Sequence, residues 1–261
     1  MVINNRDRQR TRVVYVPVNT GGGSGGGSQE KIKVGESGLK FANTTFIEIP
    51  EVFDFSDMTD MNNMFQGCTS LTIVPQMDTS QVTNMFYMFQ GCTSLTTVPQ
   101  MDTSQVTDMG SMFRGCTSLT TVPEMDTSKV TTLSNMFQGC TSLATVPEMD
   151  TSKVIYMDYM FQGCTSLTIV PQMDSSKVND MRGMFWNCTS LTDLGGFVGL
   201  KTNLDLSNCN KLTHDSLMNV INKAADVTAS PATLSLGIFN MNKLTNTEKG
   251  IATSKGWTLE I

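Results

Sequence analysis

The sequence has one histidine, His214, in 261 residues, and no Cys-x-x-Cys pair. Those two absences leave little to build a zinc site or a histidine-based acid–base centre. No run of 18 apolar residues occurs, so no membrane-spanning helix is expected. The first residues, Met1-Val-Ile-Asn-Asn-Arg-Asp-Arg8, hold no apolar stretch of signal-peptide length, so export through a leader is not expected. Charge is sparse and leans negative, with a net of −6. That balance argues against a phosphate-binding surface, and so a nucleic-acid surface, over residues 64–187.

What the chain has is repetition. The stretch Met64-Phe-Gln-Gly-Cys-Thr-Ser-Leu-Thr-Ile-Val-Pro-Gln-Met-Asp-Thr-Ser-Gln-Val-Thr-Asn-Met-Phe-Tyr87 recurs every 24 residues, from Met88, Met112, Met136 and Met160. A sixth copy opens at Met184 and diverges. A unit this short cannot bury its own apolar face, so stacking is required and a solenoid follows. About seven stacked turns are expected, with parallel ladder contacts and a rise of about 5 Å per turn.

Boundaries follow from composition. Residues 1–20 form an anchor or a disordered tail, and residues 21–28, Gly-Gly-Gly-Ser-Gly-Gly-Gly-Ser, form a linker. Residues 29–63 read as a degenerate capping repeat, with Asn43-Thr-Thr-Phe-Ile-Glu-Ile-Pro50 in the phase of Cys68 to Pro75. Residues 64–187 are the regular array, and residues 188–261 are a divergent repeat followed by a closing cap. In that cap, Thr213 to Ala225 reads as an amphipathic helix and Ala232 to Leu236 as a strand. A second helix starts at Thr245, with Glu248 completing a capping box, and Trp257 to Ile261 ends the chain as a strand.

Within each repeat, Leu71-Thr-Ile-Val74 reads as a short strand stopped by Pro75, which has no N–H for a ladder. Asp78-Thr-Ser80 reads as a turn in which the carboxylate accepts backbone N–H groups. From Thr83 to Gly91 the spacing of Met85, Met88 and Phe89 predicts a short helix or helical turn, with Gly91 at a positive φ. The unchanging positions, Leu71, Val74, Met77, Met88 and Phe89 with their equivalents, form the inner columns.

Three columns also admit a chemical reading. Six cysteines from Cys68 to Cys188 share one phase, and Cys209 follows after 21 residues. Side chains in one ladder point the same way, which suits buried free thiols better than disulfides or a metal. The methionine columns suit core filling better than a metal–thioether site or a promiscuous groove. The column Asp78, Asp102, Asp126, Asp150 and Asp174 suits turn capping better than calcium, because the Thr-Ser that follows offers few ligands.

The unit Met-Phe-x-Gly-Cys-x-Ser-Leu, followed by Asp-Thr-Ser-x-Val-Thr-x-Met, closely resembles the bacterial leucine-rich repeat family called BspA-like. The resemblance covers residues 41–213, and the closing Leu244 to Leu259 resembles the end of many such proteins. It implies an α/β repeat solenoid, a leucine-rich-repeat-like stack of short parallel strands and short helical turns with a strand–helix C-terminal cap. It also implies surface adhesion or recognition, as in similar repeats on phage virion proteins, with no catalytic residues and no cofactor.

Serines and threonines recur in every repeat, which marks them as structural, so no enzyme is expected. The expected function is a phage virion appendage that displays the array to a host-surface glycan or protein. The alternatives are a bacterial cell-surface adhesin and a structural spacer. Arg6, Arg8, Arg10 and Arg12, with Tyr15 in a β-prone run, are the expected anchor to a virion structural protein. No nucleic acid and no membrane insertion are expected, and homo-oligomers are compatible with the array. The positions that vary between repeats are free of core duty. Phe86, Tyr87, Tyr156, Tyr159, Arg182 and Trp186 collect there and are the expected binding residues.

Overall fold

A computed structural model describes residues 12–14, 32–33, 39–41 and 53–261. The chain winds as one solenoid of stacked coils. Its spine is a column of phenylalanines: Phe41, Phe65, Phe89, Phe113, Phe137, Phe161 and Phe185, all buried. From Phe65 to Phe185 the rings stack nearly parallel at 5.4–5.7 Å between centroids. Seven rings mean seven coils, as the period requires.

The expected inner columns are buried, including Leu95, Val98, Met101, Met112, Phe113 and Cys116. Val122 is the exception and is half-buried. Two further columns complete the core: Val82 with its equivalents, and Met85, Met109, Leu133, Met157 and Met181. Every coil therefore buries apolar groups from all its sides, and dispersion between identical side chains on successive coils makes the stack continuous.

The backbone differs from the expected helical turn. N–H groups of Met85, Tyr87, Phe89 and Gly91 donate to Asp108, Gly110, Met112 and Arg114 of the next coil at 2.7–3.1 Å. The alternate groups, Met88, Gln90 and Cys92, fold back three residues, each at 3.1 Å. A helix would spend all of them internally. The cause is a left-handed residue: φ is +60° at Tyr87 and +72° at Gly91. Two such residues per coil break the helix into turns and aim half its donors along the solenoid.

The strands are correspondingly short. Arg12–Val14 (β1) pairs in parallel with Leu39–Phe41 (β3), and Ile32–Lys33 (β2) with Phe53–Asp54 (β4). Ile169–Val170 (β5) pairs with Asp193–Leu194 (β7), and Met173–Asp174 (β6) with Phe197–Val198 (β8). The strand expected at residues 71–74 of each repeat makes a single bridge at Ile73 and becomes a ladder only towards the C-terminal end, from Thr145 through Ile169 to Asp193. The long ladder runs elsewhere, as single parallel bridges joining Asp60, Asn84, Asp108, Thr132, Tyr156 and Asp180. Pro75 and its equivalents limit the first set, since proline offers no donor.

Threonines take up the carbonyls that the short strands leave. Oγ1 of Thr79, Thr103, Thr127 and Thr151 donates to the carbonyls of Asp102, Asp126, Asp150 and Asp174 at 2.8–3.0 Å. The hydroxyls are buried yet satisfied, as burial demands. Outside, Thr93, Thr117, Thr141 and Thr165 each donate to the equivalent carbonyl one coil back.

The array closes on a larger unit. Leu204–Asp205 (β9), Thr233–Ser235 (β10) and Thr258–Glu260 (β11) form a parallel sheet in the order β11-β10-β9. Helix His214–Lys223 (α1) is capped by Thr213, whose side chain accepts from the Ser216 N–H. A short helix, Gly237–Met241 (α2), was not expected from the sequence. Helix Asn246–Ser254 (α3) has the Thr245–Glu248 capping box. Lys255 Nζ donates to the carbonyls of Ile221, Asn222 and Ala224 at 2.8–3.0 Å, closing the C-terminal end of α1.

Candidate functional site

The columns with alternative chemistry resolve first. Oδ1 of Asp78, Asp102, Asp126, Asp150 and Asp174 accepts the N–H two residues on, at 2.8–3.0 Å. Those bonds hold the Asp78, Asp102, Asp126 and Asp150 carboxyls below the usual range. The expected turn is therefore what these acids build.

All seven cysteines are free and buried. Each of the six regular thiols reaches the phenylalanine carbonyl of the preceding coil, as Cys116 does to Phe89 at 3.1 Å. Burial pushes the Cys116 and Cys164 thiols up to about 12. They pack as small apolar groups and are poorly suited to act as nucleophiles. His214 joins the cap instead of a pocket: its Nε2 lies 2.9 Å from Glu248 Oε1, tying α1 to α3. Glu248 and, less strongly, Asp215 at 3.3 Å from Nδ1 raise the His214 pKa.

The variable face lies along the ladder. At Asp60, Asn84, Asp108, Thr132 and Asp180 the side-chain oxygen accepts the N–H two residues on, at 2.8–3.3 Å. Tyr156 holds the fifth of the six positions and cannot do this, because a phenol is too long. Its ring projects outward, 49 % exposed. A column of short polar residues broken by one tyrosine is a signal the sequence already contained.

Tyr156 and Tyr159 lie on one coil, and Arg182 and Trp186 lie on the next. Residues 156–163 run beside residues 180–187, with the N–H of Met157, Tyr159, Phe161 and Gly163 donating to the carbonyls of Asp180, Arg182, Met184 and Trp186. Arg182 Nη2 lies 2.8 Å from Asp180 Oδ2, beneath the Tyr156 bridge. Tyr159 is half-buried, and its ring covers Gly183, where any Cβ would collide with it. Phe86 lies over Gly110 in the same way, with a Cβ there 3.0 Å from the ring, and packs against Tyr87 with the two rings tilted by 50°. Phe86 and Tyr87 sit three repeats away from Tyr159, roughly 15 Å at ladder spacing. Aromatic cover of a glycine in the next coil is thus part of the work of Phe86 and Tyr159. Tyr156, Arg182 and Trp186 stay exposed.

Trp186 ends a second column. Gln66 pairs with Gln90 and Gln138 with Gln162 through their side-chain amides; Arg114 and Trp186 stand at the next positions. Beside it runs a glycine column, Gly67 to Gly163, each at φ +72° to +74°, with Asn187 at +63° taking the sixth place. Between these columns lies an open groove of about 450 Å³ lined by Gln138, Gly139, Gln162, Gly163, Trp186 and Asn187. Trp186 stands out in the sequence, whereas the glutamine and glycine columns that shape the groove become one surface only through stacking. Ile73 and Ile169 are exposed as well.

Of the expected anchor residues, Arg6, Arg8, Arg10 and Tyr15 lie outside the described residues. Arg12 opens β1, where Arg12, Val13 and Val14 pair with Leu39, Lys40 and Phe41 of the same chain. Among the described residues no helix is long and apolar enough to cross a membrane.

The fold is similar to solved leucine-rich repeat proteins, all at low identity. The Treponema pallidum leucine-rich repeat protein is 18% identical, over 85% of this chain and 88% of that one, with a TM-score of 0.43. A leucine-rich repeat protein from Bacteroides ovatus is 16% identical, over 86% and 67%, with a TM-score of 0.22. The functional domain of InlJ from Listeria monocytogenes, described as including a cysteine ladder, is 15% identical, over 76% and 49%, with a TM-score of 0.28. No curated protein matches the chain. One family does match, over residues 39–124 and 120–213, and is described as "Mycoplasma protein of unknown function, DUF285". Those two spans carry the whole regular array, and the chain belongs to the DUF285 family.

Proposed function

We propose that this protein is a non-enzymatic recognition protein that binds a host-surface protein or glycan with the ladder edge around Tyr156, Arg182 and Trp186. The observation that carries the reading is Tyr156. Five of the six residues in its column fasten the local turn, and Tyr156 gives that up for an exposed ring. Arg182 and Trp186 stand on the neighbouring coil, and Tyr, Arg and Trp are the side chains that most often dominate interface energies. In this reading the array is displayed on a virion appendage, and a bacterial cell surface would present the same edge outward.

Tyr156→Ala and Trp186→Ala should each weaken binding to target cells by about 30-fold, the effect of a hot spot near 2 kcal/mol. Thermal unfolding should stay within about 0.5 kcal/mol of the parent, because neither ring is in the core. Tyr156→Thr is the sharper variant: Thr132 shows that threonine caps this turn, so stability should hold or rise while binding is lost. Unchanged binding in all three would reject this edge.

A further inference from the structure

The groove beside Trp186 has a composition that selects among ligands. Its floor is backbone, since Gly139 and Gly163 present no side chain. Its wall is the amide pair Gln138 and Gln162, and its end is the indole of Trp186, 56 % exposed. None of its lining residues is charged. The Gln162 amide accepts from Gln138, and its own Nε2, next to Trp186, takes no protein acceptor among the described residues.

We infer that this groove binds a linear neutral oligosaccharide, lying along the solenoid with one pyranose face on Trp186 and hydroxyls on the Gln138 and Gln162 amides. The inference rests on the recognition reading above and narrows its ligand class. An apolar peptide would need apolar walls, which are missing, and an anionic chain would need cations, which are also missing. A sugar ring has an apolar face for the indole and hydroxyls that both donate and accept, which suits the amide N–H groups that the Gln138–Gln162 bond leaves open. The repeat adds a length match. Coils advance by about 4.8 Å, close to one pyranose residue of an extended chain, so successive sugars meet equivalent backbone floors.

Asn187 supplies a clean steric test. It occupies the glycine position of its coil at φ +63°, so asparagine is tolerated there. Gly163→Asn should therefore fold normally and raise the floor of the groove. The full chain is titrated with cellohexaose, hexa-N-acetylchitohexaose and mannohexaose, and with hexagalacturonate as a charged chain, following tryptophan emission. The only other tryptophan, Trp257, is buried at 3 % exposure, so an emission shift reports Trp186. A saturable blue shift with at least one neutral hexasaccharide is expected. Binding measured by calorimetry should fall at least about tenfold in Trp186→Ala and in Gly163→Asn.

No response to any neutral hexasaccharide overturns the inference, as does preferred binding of hexagalacturonate or unchanged affinity in Gly163→Asn. Loss of cell binding in Tyr156→Ala without any saccharide response overturns the saccharide alone. Retained cell binding in both Tyr156→Ala and Trp186→Ala overturns the recognition edge itself.

Discussion

Phe137→Ala should lower the folding free energy by about 3–5 kcal/mol, the range for truncating a fully buried aromatic ring. Phe137 is 0% exposed and sits at the centre of the phenylalanine column. Its ring lies 5.7 Å from Phe113 and 5.7 Å from Phe161, within 4° of parallel to each. Alanine removes two ring–ring contacts and leaves a void that identical coils above and below cannot close, because their backbones are held at ladder spacing. In a solenoid that loss also falls on the coupling between neighbours. Urea unfolding followed by circular dichroism should therefore separate from unfolding followed by Trp257 emission, which reports the C-terminal cap. In the parent the two curves should coincide. A loss below about 1 kcal/mol, with coincident curves, would show that the column does not carry the stack.

Alkaline pH should unfold the protein through its thiols. Burial raises the pKa of Cys92, Cys116, Cys140, Cys164, Cys188 and Cys209. For Cys116 the rise is from 9.0 to about 12. The folded state then keeps its proton where the unfolded state releases it. The stabilisation is fully present below pH 9 and is lost as pH rises from there towards the folded value. Each such thiol costs about 1.4 kcal/mol per pH unit in that window. Across the column that approaches the total stability of an ordinary domain, about 5–15 kcal/mol, within roughly one unit. Cooperative loss of circular dichroism near pH 10 is the expected result. At pH 8 the same burial should leave the native thiols slow to alkylate, since Cys116 holds roughly a thousandfold less thiolate than a free thiol. All should label together once urea passes the midpoint. Rapid labelling of the native protein, or a folded state stable at pH 11, would contradict a dry thiol column.

The sequence by itself determined the period, the number of coils and most of the core. A side chain that recurs every 24 residues meets its own copy, so Phe89, Leu95 and Cys92 had to stack whatever path the coil takes between them. The Asp78 turn, the Thr245–Glu248 capping box and the positive φ at Gly91 were legible for the same reason: each depends on neighbours a few residues away.

The tertiary structure decided what depends on the next coil. The spacing of Met85, Met88 and Phe89 fits a helix, but half the donors there leave the coil for the adjacent one, so turns result. Asn63, Ser111, Asn135 and Gly183 share the left-handed position with Tyr87, and that composition was the available hint. The binding face shows the same division. Variability alone grouped Phe86 and Tyr159 with Tyr156, yet the first two cover glycines of neighbouring coils and only Tyr156 stands free. The groove beside Trp186 was invisible in one repeat, because its floor, wall and end together belong to three successive coils. A single repeat fixes which residues face inward; only stacking fixes which outward residues are adjacent and which remain exposed.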